Sequence, residues 1–467
     1  SLVADGTITL KSGGSAATVD VGPAFETTAR VNLRTDIWAD SVTIENTGSG
    51  SAVVNHRGSD HMTISADGNA GGITIRNKSA DNATLVVGLT EDQKDSGARV
   101  AVMDLITYGA PVIIENQDAA GTVMDIKNHG AIMMQMGNGI PAQITGNIFV
   151  DNGSQICLTI GGDGFVHADT LKLTNGSISD IETFGTSTWS NRDGTGNTQA
   201  AADGVGSILS MIAMGHSTIN ADGVVSNGAV GGFHSDDYGI RNGDTTITGE
   251  GFAYDTRIPS ESYTYINGHG QVNGNQYTKE GAKNTVYVMD DGTLTGNVVS
   301  DGVGKLDGTP SVTMVGSGAN AVINGDLTAS NSGTMTGLIM QKSVENGNVY
   351  AVSGGKVTYY LSGQDAQFPT LNGDFVSESG GSITASMNGR WNGASTVSGG
   401  TTDVTFIDAN AVWNVTRDSE LTNFTQGAGT VNFPAAASGF TGTTVTVDGN
   451  YSSDGGAINM STVLQGD

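Results

Sequence analysis

The sequence predicts an all-β chain wound as a right-handed parallel β-helix. Three observations predict it: turn dipeptides at short intervals, strand-like alternation between them, and a repeated aliphatic motif closed by asparagine. Asp-Gly and Asn-Gly pairs punctuate the length, among them Asp5-Gly6, Asn152-Gly153, Asp203-Gly204, Asn324-Gly325 and Asn388-Gly389. Each supplies the positive-φ positions of a tight turn, and runs of about four to seven residues with period-two alternation lie between them. Composition agrees: glycine is 70 of 467 residues and charged residues are only 14%, while Thr, Val, Ile, Asn and Ser are abundant. No helical period extends beyond about two turns.

The elements follow in order. SVTIEN (41–46), GITIRN (72–77), PVIIEN (111–116), VMDIKN (123–128), NIFVDN (147–152) and LKLTN (171–175) share one pattern: aliphatic, any residue, aliphatic, usually a charge, then Asn. Asn128, Asn152 and Asn175 recur about every 23 residues, a period at which one supersecondary unit stacks on copies of itself. The shorter gap from Asn116 to Asn128 is too small for a full coil, so two faces of one coil are expected to share the motif. Asn46, Asn77, Asn116, Asn128, Asn152 and Asn175 then form a ladder at the turns. A β-sandwich array is disfavoured, since no unit of about 100 residues with a core Trp repeats. Two stretches break the pattern: a charged loop at 90–99, and an irregular insertion at about 183–283 that concentrates aromatic and basic residues. Residues 1–412 are read as the solenoid and 413–467 as a C-terminal cap.

Charge excludes some partners. With 20 basic and 47 acidic side chains the net charge is −27, which repels nucleic acid and anionic membrane. No apolar run reaches the roughly 18 residues of a membrane span, and no basic-then-apolar leader opens the chain. Cys157, the single cysteine, sits in an apolar run and is expected in the core, without the electropositive neighbours that activate a thiol.

From Trp413 the strands lengthen. Trp413 and Val415, Ser419 and Leu421, Val431 and Phe433, then Val447, Gly449, Asn450 and Tyr451 follow one another in a fixed order. Gly455, Gly456, Ile458, Met460, Thr462, Val463, Leu464 and Asp467 close it. This run of about 55 residues resembles the C-terminal autochaperone region of bacterial autotransporter (type V secretion) passenger domains, the AIDA-I-type adhesins in particular. The resemblance implies that a linker and an outer-membrane β-barrel continue beyond this chain, and that the C-terminal coils fold first as a template. It also implies a location on the bacterial surface.

Passengers of this family divide into proteases, esterases and non-enzymatic adhesins, and the sequence lacks the signatures of the first two. KDSGA (94–98) lacks the leading Gly of a trypsin-like nucleophile block, and no Gly-x-Ser-x-Gly elbow occurs. His56 and His61 are expected to point to opposite faces, and Asp236 with Asp237 is the better candidate for Ca²⁺; neither is taken as a metal site, and no cofactor is expected. Met133, Met134 and Met136 are read as core filling. No compact acidic cluster with basic partners marks a polysaccharide-cleaving cleft.

Two binding candidates remain. Glu45, Arg76, Glu115, Lys127 and Asp151 precede the ladder asparagines and, with Lys172, are expected to point outward in one row, a polar groove for an extended glycan. Tyr254, Arg257, Tyr263 and Tyr265 are the candidates for stacking on sugar faces or anchoring a protein. The expected function is a non-enzymatic cell-surface adhesin that binds host glycosaminoglycans or a matrix protein such as fibronectin. Self-association between cells and a polysaccharide-active enzyme are the competing expectations.

Overall fold

The computed structural model describes residues 2–3, 7–12, 18–21, 35–46, 51–58, 61–66, 72–91, 93–94, 100–108, 110–134, 140–305, 307–364, 366–435 and 442–460. Among them there is no helix, and the strands that form the walls pair in parallel. The fold is an all-β parallel β-helix, as the repeat predicted. It falls into two compact units, one of residues 1–243 with 251–258, the other of 244–250 with 259–467.

Each unit has three walls, here called faces A, B and C. In the first unit, face A carries Ala101–Thr107 and Gly130–Met134, face B carries Ile73–Asn77 and Val112–Asn116, and face C carries Leu85–Gly88 and Thr122–Lys127. The alternation in the repeated motif makes the wall. Ile44, Ile75, Ile114 and Ile144 lie in register on successive rungs of face B and are fully buried. Burying one such side chain contributes ~1.5–3 kcal/mol relative to leaving it exposed. The short gap before Asn128 is explained by two corners of one coil. Asn77 and Asn116 pair in register at the end of face B, whereas Asn128, Asn152 and Asn175 follow face C strands with φ of 50°, 54° and 53°. The Nδ2 of Asn152 donates to the Oδ1 of Asn128 at 2.8 Å.

Several expectations are corrected. Cys157 does not face the core: it lies between buried Ile156 and Leu158 and points outward in register with Met133 and Asp180. Period-two parity decides this, and the surrounding apolar residues disguised it. Met134 is core, Met133 is exposed, and Met136 lies outside the described residues. The stretch 183–283 is no irregular insertion. It is built of regular strands such as Ile208–Met214, Thr218–Ser226 and Val230–Asp236 in the first unit and Glu261–Ile266 in the second. Only the hairpin of Glu250–Ala253 and Thr256–Pro259 leaves the wall. Nor does the wall break at 412: Val412–Val415 pairs in register with Arg390–Gly393 before it and Thr430–Asn432 after it. Trp413 stacks on Trp391 in the core at 4.3 Å and 7°. Thr462, Val463, Leu464 and Asp467, and most of 94–98, lie outside the described residues.

The second unit is the more regular. Many of its face B strands are only three residues long, and Val322–Asn324, Val344–Asn346 and Thr370–Asn372 each end in Asn followed by Gly at the corner to face C. A Cβ on Gly347 would lie 2.0 Å from the carbonyl oxygen of Gly325, and one on Gly373 1.8 Å from that of Gly347. Only glycine fits such a stack. Beside it Asn346, Asn372, Asn392, Asn414, Asn432 and Asn459 each donate Nδ2 to the Oδ1 of the asparagine one rung earlier, at 2.6–2.9 Å. Just past the glycines, the side-chain oxygens of Asn275, Asn297, Asp326, Asn348 and Asp374 accept the backbone N–H of the next rung. The indole N–H groups of Trp391 and Trp413 donate to the carbonyls of Gly373 and Gly393, both at 2.9 Å.

One core position breaks the apolar column of face B. Val272, Leu294, Ile323, Leu371 and Trp391 occupy it on their rungs, but the rung between Ile323 and Leu371 carries fully buried Glu345. The Tyr359 hydroxyl donates to its Oε2 at 2.7 Å, and its Oε1 has no hydrogen-bond partner. Gly337 makes room for the Tyr359 ring, which would lie 2.8 Å from a Cβ there. Burial pushes the Glu345 carboxyl up to about 8, the nearby Asp326 adds to the shift, and the Tyr359 bond opposes it. In the unfolded chain the carboxyl ionises near 4.5, so between about 4.5 and 8 the folded state holds a proton that the unfolded state has lost. Stability therefore falls as pH rises through that window. Thermal melts from pH 5 to pH 9 should show the midpoint falling, and Glu345→Gln should flatten that slope and be the more stable form at pH 9; parallel slopes would contradict the assignment.

Candidate functional site

The charged residues expected in one row occupy two faces of the first unit. Glu45, Arg76 and Glu115 share a column on face B, where the Arg76 guanidinium bonds the Glu115 carboxylate. Lys127 is on face C and pairs with Asp125 at 2.7 Å. Lys172, also on face C, is in register with Phe149. Asp151 stands just past a face C strand, where its Oδ1 accepts the Thr174 hydroxyl at 2.6 Å and the Asn175 amide at 2.7 Å. Burial works to raise its carboxyl, but those bonds, the Asn152 N–H and the charge of Lys172 hold it below the usual range. The row is split because the motif recurs at two corners of the coil. Two of its three cations, Arg76 and Lys127, already have carboxylate partners.

The histidine and acidic motifs do not converge. His56 is buried on face C, and His61 lies on face A with its Nε2 2.5 Å from Asp104 Oδ2. Asp236 Oδ1 accepts the backbone N–H of Asp237 at 2.9 Å within a turn. Among the described residues no group of three or more His, Cys, Asp or Glu side chains could hold a metal ion.

The aromatic candidates fall into two groups. Tyr254 and Arg257 lie on the part of the hairpin that belongs to the first unit, 251–258, and its turn holds Tyr254 and Asp255 at φ 48° and 61° with the Tyr254 ring fully exposed. Tyr263 and Tyr265 belong to face A of the second unit, on the strand Glu261–Ile266. There the outward residues form three columns. Tyr265, Tyr287, Gly316, Leu338 and Tyr360 follow one another in register on five rungs. Tyr263, Thr285, Met314, Thr336 and Thr358 make the second column, and Glu261, Lys283, Val312, Thr334 and Lys356 the third.

This face is an exposed aromatic track. Tyr263, Tyr265, Tyr287 and Tyr360 show 47%, 40%, 37% and 39% of their surface, although each springs from a wall whose alternate residues are buried. Tyr287 leans over Gly316, where a Cβ would lie 2.8 Å from the ring. The Tyr263 hydroxyl donates to Glu261 Oε2 at 3.1 Å, and the Glu261 charge raises the phenol, with burial adding to the shift, so it stays protonated. Glu261 also pairs with Lys283 at 3.1 Å. Tyr287 and Tyr360 were missed in the sequence. The signal was present as Lys-x-Thr-x-Tyr, which occurs at 283–287 and 356–360 and sets Lys, Thr and Tyr side by side on one face.

No family model, curated protein or solved structure matches this chain. The half-exposed Arg76–Glu115 pair should contribute little: Arg76→Gln is expected to change the unfolding free energy by less than about 1 kcal/mol in a denaturant titration. A larger loss would show that the column is structural.

Proposed function

We propose that this chain is the non-catalytic binding portion of a bacterial cell-surface adhesin of the autotransporter kind, and that it attaches to extended glycans through face A of the second unit. The observation that carries the reading is the Tyr265–Tyr287–Tyr360 column, with Tyr263 beside it. Tyrosine rings present flat apolar surface at low entropy cost and keep a hydroxyl for hydrogen bonding, which suits the C–H faces of pyranose rings. A solenoid wall repeats such contacts at the ~4.8 Å strand spacing, so weak contacts add along a polymer. The C-terminal resemblance supports secretion to the cell surface and anchoring through a barrel outside this chain.

The test is an array of glycosaminoglycans, neutral glycans and matrix proteins, probed with the intact chain and with the triple variant Tyr265→Ala, Tyr287→Ala, Tyr360→Ala. At ~1 kcal/mol per ring the variant should lose roughly a hundredfold in glycan affinity while keeping its fold. Glycan binding unchanged by the variant, or binding to matrix protein alone, would overturn the reading. So would concentration-dependent dimers in sedimentation that the variant abolishes.

A further inference from the structure

We infer that the tyrosine track takes an uncharged glycan of flat-faced, β-linked pyranose units, laid along the direction in which the rungs stack. This rests on the glycan-binding reading of face A and adds the chemical class, orientation and minimum length of the ligand.

Charge argues for an uncharged ligand. On the described rungs of this face Glu261 and Lys283 form an ion pair, and Lys356 and Asp403 are one further charge of each sign, so the three columns together with Asp403 sum to zero. The rest of the chain repels polyanions, with a net charge of −27. A sulfated or uronate-rich chain would meet one unpaired ammonium against that field. An uncharged glycan meets no such cost, and the column beside the rings supplies hydroxyls from Thr285, Thr336 and Thr358.

Register sets orientation and length. Tyr265 and Tyr287 are in register on adjacent rungs, so their backbones are one strand spacing apart, ~4.8 Å. Tyr360 is three rungs beyond Tyr287, which is ~14 Å at the same spacing. Gly316 and Leu338 lie between, the first bare enough for the Tyr287 ring to lie over it and the second apolar. A glycan lying along a single strand would reach Tyr263 and Tyr265 at most, whereas one running with the stack, across the strands, reaches Tyr265, Tyr287 and Tyr360. A disaccharide covers the Tyr265–Tyr287 end alone. Reaching Tyr360 as well takes a longer chain.

The experiment is calorimetric titration of the intact chain with neutral β-linked hexasaccharides of glucose and of N-acetylglucosamine, their disaccharides, and a heparin hexasaccharide, at 50 and 500 mM NaCl. At least one neutral hexasaccharide should bind, more than tenfold tighter than its disaccharide and with affinity unchanged by salt. Tyr287→Ala and Gly316→Val, the latter driving the ring off its seat, should each weaken it several-fold, while Lys356→Gln should not. Binding of heparin with a steep salt dependence and loss on Lys356→Gln would overturn the class while leaving glycan binding by this face in place. Binding to no glycan at all would overturn both. Equal affinity for disaccharide and hexasaccharide would overturn the axial orientation.

Discussion

The contact on which the second unit depends is the seating of one glycine against the carbonyl of the glycine one rung away. At the corner between faces B and C the Cα of Gly347 lies so close to Gly325, and that of Gly373 to Gly347, that no side chain fits. The same seating recurs from Gly274 to Gly393 and fixes the rung spacing at one edge of those coils. The asparagine ladder beside it and the side-chain-to-backbone ladder beyond it hold the corner in register, and the Trp391 and Trp413 indoles tie the same carbonyl column to the core. A parallel wall has no hairpins to set its register, so the corners must do it. The Tyr265, Tyr287 and Tyr360 column on face A is a consequence of that registration.

The repeat was legible because it is local. Aliphatic positions two apart, followed by Asn, are the inward pair and corner of a single strand, and the buried column of Ile44, Ile75, Ile114 and Ile144 follows from it. What was hidden depends on stacking between rungs. Asn324-Gly325, Asn346-Gly347 and Asn372-Gly373 read as isolated tight turns, yet their amides bond to one another across 22 and 26 residues. Residues 183–283 read as irregular because aromatic and basic side chains are dense there and the short face B strands place only one residue inward. Of the candidate residues, Tyr263 and Tyr265 fall on the track, whereas Glu45, Arg76 and Glu115 share a column apart from Lys127, Asp151 and Lys172. Whether a motif repeats on one face or two depends on coil length, which varies along the chain.

The polar interior of the second unit shows how much irregularity a solenoid tolerates when it is accommodated locally. Glu345 replaces an aliphatic residue in a column otherwise filled by Val272, Leu294, Ile323 and Leu371, and its partner Tyr359 is admitted only because Gly337 leaves space. The same strand that turns Tyr359 inward presents Tyr360 outward. The buried partner of an acid and an exposed ring therefore share one segment of backbone, related by the two-residue alternation alone.

The most direct measurement is hydrogen–deuterium exchange of the intact chain and of Gly347→Ala. If stacked glycines register the walls, the added methyl meets the Gly325 carbonyl at about 2.0 Å and forces the rungs apart. Amides of 322–324, 334–340, 349–352 and 356–362 should then exchange at least tenfold faster, with protection in the first unit unchanged, because a solenoid couples mainly to its nearest rungs. Protection of those strands equal to that of the intact chain would contradict the account.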